Sequence, residues 1–257
     1  MDQKDTFPMP PPINIGGLSV WNEKIQGTKI PGVTRVPLTE IITYFKGNTQ
    51  KLRGLDLGSG QGRSTQLLKD SSPGSNIIAL DLSYKGLVLT KTEKKVQAKA
   101  ENLPFAPESF DFVSICGVMT NIVDENPTKA IELRRQVLKN VFSVIKSGGC
   151  VVISDFGSEH LLDKYPVNYK RHALITGENG TIAILKNGEN FIGKSDEQIA
   201  AMKGTENIER YAHHFTPKEL ITLLQNAGFI VDQYTVELAK TPNGKKPIEN
   251  IIILAKK

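Results

Sequence analysis

The chain has 257 residues, 39% of them hydrophobic and 23% charged, with 32 Lys and Arg against 27 Asp and Glu for a net charge of +5. That length suits one large α/β domain or a domain with an insertion, and a second full domain is not expected. No run approaches the roughly 20 apolar residues of a membrane span, and the Asp- and Lys-bearing start has no secretory hydrophobic segment, so a soluble cytoplasmic protein with no membrane partner is expected.

Residues 1–32 open with Pro8, Pro10, Pro11 and Pro12, which exclude a regular helix, and pass through Gly16-Gly17 to Trp21. Residues 37–46 (Pro-Leu-Thr-Glu-Ile-Ile-Thr-Tyr-Phe-Lys) read as a helix that starts at its proline and stops at Gly47. Residues 1–50 are therefore an N-terminal arm and helix.

In residues 52–63, Leu52, Leu55 and Leu57 alternate around Asp56, glycine then falls at 58, 60 and 62, and Ser-Thr-Gln-Leu-Leu-Lys follows. This is a strand, a tight turn and a helix. Glycine permits positive φ and close approach of a ligand, and the helix start offers unpaired N–H groups. The spacing is Gly-x-Gly-x-Gly, one position tighter than the dinucleotide fingerprint Gly-x-Gly-x-x-Gly. A second apolar run, residues 76–82, ends in Asp81, about twenty residues beyond the glycines, where one carboxylate accepts both hydroxyls of a ribose. Any nucleoside cofactor is served by that acid.

Residues 99–113 read Lys-Ala-Glu-Asn-Leu-Pro-Phe-Ala-Pro-Glu-Ser-Phe-Asp-Phe-Val. With Asp56-x-Gly58-x-Gly60-x-Gly62 and Asp81, this resembles the class I S-adenosylmethionine (SAM) methyltransferases, in their type 11/25-like branch, where Ala-Glu-x-Leu-Pro-Phe follows the third strand and Ser-Phe-Asp-x-Val opens the fourth. The resemblance implies SAM as cofactor. It places Gly58, Ser59 and Gly60 against the methionine end, Asp56 near the ammonium and Asp81 with Leu82 at the ribose. Ala100, Glu101 and Cys116 fall around the adenine, and the arm with Trp21 folds over the site. One departure stands out: the family has an acid before that alanine to accept the adenine amine, and this chain has Lys99, which cannot accept. Glu101 or a backbone carbonyl is then left to take that bond.

Residues 127–146 carry Ile131, Leu133, Val137, Leu138, Val141, Val144 and Ile145 close to a helical stripe, stopping at a glycine C-cap in Ser147-Gly148-Gly149 before a fifth strand over residues 150–156. Val-Ile-Lys-Ser-Gly-Gly-Cys resembles the family's Leu-x-Pro-Gly-Gly turn. Residues 157–215 are too long for a simple connection and read as an inserted lid that binds the acceptor. Asn179-Gly180 and Asn187-Gly188 are hairpin signals, and Ser195 with Gln198 is a capping box for a short helix to Lys203. The lid holds seven Lys or Arg (164, 170, 171, 186, 194, 203, 210) against eight Asp or Glu (159, 163, 178, 189, 196, 197, 206, 209), so it is not a basic surface. A helix with Thr216, Pro217 and Glu219 at its start and Gly228 at its end follows, then strands over residues 229–238 and 248–255 joined through Pro242-Asn243-Gly244. The resemblance implies a three-layer, doubly wound Rossmann-like α/β fold. Its sheet has seven strands with the last antiparallel, in a methyltransferase domain over residues 51–257 with the lid between strand 5 and the last helix.

Cys116 and Cys150 fall at opposite ends of neighbouring strands and are expected as free thiols, and no Cys or His pair has metal-ligand spacing. Methyl transfer is an in-line displacement, for which the protein supplies alignment and exclusion of water. An oxygen acceptor needs a base, and the candidates are His213, His214 and His172, with His160 nearby; Tyr165, Tyr169 and Arg171 are placed to line the acceptor pocket. Without an Asn-Pro-Pro-Tyr or Asp-Pro-Pro-Tyr box after the fourth strand, an exocyclic nucleobase amine is disfavoured. The leading reading is a methyltransferase acting on O, N or C of a small molecule under the lid. RNA methylation is the alternative, raised by a pI near 9 and by a loose likeness of Arg210-Tyr211-x-His213-x-Phe215 to wobble-uridine tRNA enzymes. A catalytically silent SAM- or partner-binding module is a third reading, and oligomeric state is left open.

Overall fold

The computed structural model describes residues 36–47, 51–158, 166–186, 190–240 and 247–257. The Pro-rich arm with Trp21, His160, Tyr165, Asn187-Gly188 and Pro242-Asn243-Gly244 lie outside the described residues. The elements, in chain order, are α1 (Leu38–Tyr44), β1 (Arg53–Leu57), α2 (Arg63–Ser71), β2 (Asn76–Asp81), α3 (Tyr84–Leu89), β3 (Lys95–Gln97), β4 (Phe110–Cys116), a 3₁₀ turn (Met119–Asn121) and α4 (Pro127–Val144). They continue as β5 (Ile145–Phe156), α5 (Pro166–Thr176), β6 (Thr181–Leu185), α6 (Asp196–Ala200), β7 (Ile208–His213), α7 (Pro217–Asn226), β8 (Ile230–Lys240) and β9 (Pro247–Lys256).

Seven strands form one sheet in the order β3-β2-β1-β4-β5-β9-β8. β1 to β5 pair in parallel, while β9 runs antiparallel to both β5 and β8. The strand order reverses between β1 and β4, so the C-terminal ends of these strands open a crevice there. One face is packed by α4 and α7 through Val137, Leu138, Val141, Leu220 and Leu224 against Leu55, Ile115 and Ile153. On the other face Ile41 and Leu68 meet Phe112, Cys150 and Ile252. A sheet covered on both faces explains why its central strands are near-continuous apolar runs.

Two boundaries differ from the sequence expectation. α4 ends at Val144 instead of in the glycines, because Ile145 is already extended (φ −80°, ψ 137°) and pairs with Phe110. Ser147, Gly148 and Gly149 instead fill an irregularity in β5, where the register moves from Phe110↔Ile145 to Phe112↔Cys150 and Gly148 takes φ +78°. The inner stripe of α4 is Ala130, Arg134, Val137, Leu138, Val141 and Val144; Ile131 and Leu133 are half-buried to either side. The capping box of Ser195 and Gln198 is present on α6.

Between Phe156 and Phe215 the chain builds a second small core from Ile175, Ala183, Leu185, Phe191, Ile199 and Met202, with β6 and β7 as an antiparallel pair. The Asn-Gly signals predicted a local hairpin flanking residues 181–186, whereas β6 pairs with a strand some twenty residues further on. The segment leaves and rejoins the sheet at one place: Gly157 bridges Phe215, the Ser158 N–H donates to the Phe215 carbonyl at 2.8 Å, and the Phe215 N–H donates to Phe156 at 2.9 Å. Among the described residues no helix is long and apolar enough to cross a membrane.

Candidate cofactor and acceptor site

Each glycine of the turn meets a different constraint. Gly58 has φ +75° and its missing Cβ would lie 2.2 Å from Val118 Cγ2; Gly62, with φ +84°, would meet Thr90. Gly60 has φ +53° and nothing within 4 Å in the Cβ direction. The turn is clamped from behind, by Gly58 and Ser59 N–H donating to the Leu80 carbonyl and by Thr90 Oγ1 donating to the Gly60 carbonyl at 3.2 Å. Its open face is at Gly60.

Asp56 is fully buried at the end of β1, and its Oδ2 accepts from Ser64 Oγ at 2.6 Å and Thr65 Oγ1 at 2.5 Å. Its Oδ1 is buried with no hydrogen-bond partner among the described residues. Burial raises its pKa to about 6, despite the two hydroxyl bonds. An orphaned carboxylate oxygen beside an open glycine turn fits a cationic group such as the SAM ammonium.

Asp81 ends β2 and holds the turn from the neighbouring strand, accepting from the Gly60 N–H at 2.8 Å and the Ser83 N–H at 2.7 Å. Its pKa is raised by burial. A carboxylate has about four lone-pair directions, so these bonds do not exhaust what it can accept from a ribose. Leu82 donates no side-chain chemistry, but its carbonyl accepts from the buried Gln97 at 3.0 Å, fixing the strand end. Ala100 packs on the sheet core with Leu103 and Phe105. The Glu101 carbonyl already accepts from Gln136 at 3.0 Å and Asn140 at 2.6 Å, and Lys99 is exposed. Cys116 closes β4, with Sγ 3.6 Å from Ser114 Oγ; burial, then the Asp56 charge, pushes its pKa up to about 12. Both cysteines are free, as expected. The sequence-predicted cofactor residues are thus gathered at the C-terminal ends of four adjacent strands.

The three candidate histidines are spread differently. His213 is buried, with Nδ1 2.7 Å from Thr181 Oγ1 and Nε2 3.0 Å from Glu219. It belongs to an ion network: Arg134, wholly buried, makes a fork to Glu178 at 2.6 and 3.2 Å and donates to the Ile122 carbonyl, and Glu178 also accepts from Thr181. Burial would lower the His213 pKa, but the Glu178 and Glu219 bonds outweigh it and raise it. Glu178 is held at about 2, burial being overcome by His213, Arg134 and Thr181. With both ring nitrogens taken, His213 ties β7 to β6 and α7 and has no lone pair left for a substrate. Glu178, His213 and Glu219 lie close enough for a metal, but the Arg134 guanidinium already supplies the cation there.

His172 sits within the inserted segment, its Nδ1 accepting from the Ala183 N–H at 3.2 Å and its ring edge on Phe191, with burial lowering its pKa to about 4. His214 is the one at the sheet end. Its ring stacks on Phe156 (5.7 Å, 22°), Nδ1 lies 2.8 Å from Tyr169 Oη, and Nε2 has no hydrogen-bond partner among the described residues. Burial, then His213, lowers its pKa to about 4, and burial raises that of Tyr169 above its ordinary range. Arg171 is turned away from the sheet, donating to the Phe191 and Lys194 carbonyls.

Sequence reasoning missed the Ser64 and Thr65 hydroxyls, the Tyr169–His214 pair and the Arg134 network. One signal was available for the last. Residues 130, 134, 137 and 141 follow helical spacing, which puts an arginine on the buried stripe.

A family model described as a methyltransferase domain matches residues 55–153. Demethylmenaquinone methyltransferase of Thermotoga maritima is 29% identical over 186 residues, 69% of each chain. A SAM-dependent methyltransferase of Methanosarcina mazei superposes with a TM-score of 0.64 at 25% identity, covering 81% of this chain and 93% of that one. The 1,6-didemethyltoxoflavin-N1-methyltransferase of Burkholderia thailandensis, solved with 1,6-didemethyltoxoflavin and S-adenosylhomocysteine, shares the fold at 17% identity (TM-score 0.54, covering 86% and 76%). The glycine turn, the two strand-end carboxylates, the seven-stranded order and these matches together support a class I SAM-dependent methyltransferase with SAM as its cofactor.

Proposed function

We propose that this protein methylates a small molecule with a flat, oxygen-bearing ring, held between the sheet end and a lid formed by residues 157–215. The observation that carries the reading is the cluster at the end of β5 in which His214 stacks on Phe156 and meets Tyr169 edge-on. Two aromatic rings and an imidazole favour a planar acceptor. The quinone named for the Thermotoga relative supports such a ring.

SAM, when bound, supplies the activated methyl group. Asp56 and the Gly58–Gly60 turn hold its amino-acid end, Asp81 the ribose, and Ala100 with Glu101 the adenine. The Tyr169 phenol donates to Nδ1 of a neutral His214, which leaves the proton on Nε2. A base whose conjugate acid has a pKa of about 4 is poorly matched to a hydroxyl near neutral pH. His214 therefore works as a hydrogen-bond donor that steadies negative charge on the acceptor oxygen while carbon or oxygen attacks. The lid excludes water.

Incubating the protein with methyl-labelled SAM and an extract of its source organism, then counting label in small-molecule, RNA and protein fractions, tests the reading. Label in small molecules supports it. Label in nuclease-sensitive RNA would replace it with the tRNA alternative, which the lack of a basic surface on the lid disfavours. SAM binding with no label anywhere would point to a silent module.

A further inference from the structure

The outer face of α3 has the wrong chemistry for a solvated helix. At about 100° per residue, Tyr84, Val88, Lys85 and Leu89 span an outward arc of about 140°, opposite Gly86 and Leu87, which are buried. Tyr84, Val88 and Leu89 are 42%, 55% and 52% exposed, so three of the four outward positions are large and apolar. Lys85 lies on the same face, and lysines follow in the chain: residues 84–95 carry Lys85, Lys91, Lys94 and Lys95 against a single acid, Glu93. The next groove, of about 690 Å³, runs along the loop that leaves α3 and is lined in part by Lys69, Lys91 and Lys94.

We propose that this face docks the protein on an anionic lipid surface, with Tyr84, Val88 and Leu89 entering the headgroup boundary and the lysines meeting lipid phosphates. Charge complementarity selects this occupant: an apolar tip with an amphipathic tyrosine and a cationic rim is the pattern that anionic interfaces bind. A stable protein partner needs roughly 20–30 residues a side, far more than a six-residue helix and its following loop provide. The sequence expectation of no membrane partner rested on the lack of a spanning segment, and a peripheral face needs none.

The test is partition of the full chain onto sedimented vesicles of phosphatidylcholine alone, or mixed with phosphatidylglycerol, at low and high salt. Binding is expected only to the anionic vesicles and to weaken with salt. At roughly fivefold per lysine, the double variant Lys91→Gln/Lys94→Gln loses about 25-fold in partition. The triple variant Tyr84→Ser/Val88→Ser/Leu89→Ser loses binding at both salt concentrations, with circular dichroism and SAM affinity as checks that it is folded. Wild type left in the supernatant, or folded variants binding as wild type does, would overturn the proposal. A wild-type dimer in sedimentation velocity that the triple variant converts to monomer, without vesicle binding, would reassign the face to a second copy of the chain.

Discussion

Three glycines in one turn should fail in three different ways when each receives a methyl group. At Gly60 the backbone is left-handed (φ +53°) but the Cβ direction is open to 4 Å, so Gly60→Ala costs only the left-handed penalty, about 1–2 kcal/mol. For a chain of this size that is a fall of roughly 2–8 °C in Tm. The methyl enters the face assigned to the cofactor, and binding of S-adenosylhomocysteine should weaken at least tenfold, or about 1.4 kcal/mol. At Gly62 the same φ penalty is joined by contact with Thr90, including its Cα at 2.9 Å, backbone that cannot rotate away. Strain from overpacking adds about 1–3 kcal/mol, so Gly62→Ala should lose roughly 2–5 kcal/mol. Gly58→Ala strikes Val118 Cγ2 at 2.2 Å and should fall in the same range. Urea denaturation measures the first quantity and calorimetric titration the second. A Gly60→Ala protein that binds S-adenosylhomocysteine like wild type would refute the assignment of the open face to the cofactor.

Other outcomes follow from the buried charges. Asp56 has its pKa raised from 3.8 to about 6, so the native state binds more protons than the unfolded one between those values. Its contribution is full below pH 3.8 and is lost as pH rises through about 6, of order 3 kcal/mol. Asp56→Asn should flatten that slope in urea titrations while weakening SAM binding, and wild-type SAM affinity should itself decline as pH falls below about 6, where Asp56 loses its charge. Arg134→Met strands the Glu178 carboxylate beside His213 and should cost about 3–5 kcal/mol, with Glu178→Gln in the same chain recovering part of it, read from denaturation midpoints. Because the His213 pKa is raised, the stability its charge supplies is present below pH 6.5 and fades above it, a slope that His213→Gln should remove. His214→Phe should lower kcat about 10²-fold or more with SAM affinity unchanged; equal loss of both would place His214 in the fold instead of at the acceptor.

The sequence by itself determined the strand, turn and helix assigned to the cofactor. A strand, a turn and a helix are contiguous in the chain, so the spacing of Asp56, Gly58, Gly60 and Gly62 already encodes their geometry, and Asp81 and Ala100 fall at the ends of the next strands. Seven strands with the last antiparallel were what the family resemblance implied, and their order, β3-β2-β1-β4-β5-β9-β8, is what the structure adds. Only the tertiary structure decided what surrounds them. Arg134, Glu178, His213 and Glu219 are drawn from three separate elements and a turn, and no local pattern links them. Adjacent histidines on one strand end face opposite ways, because successive side chains alternate: His213 enters the ion network, and His214 meets Tyr169, 45 residues earlier. Pairing of β6 with β7 in place of a local hairpin is of the same kind, since strands choose partners by the core they bury together and not by the nearest turn signal.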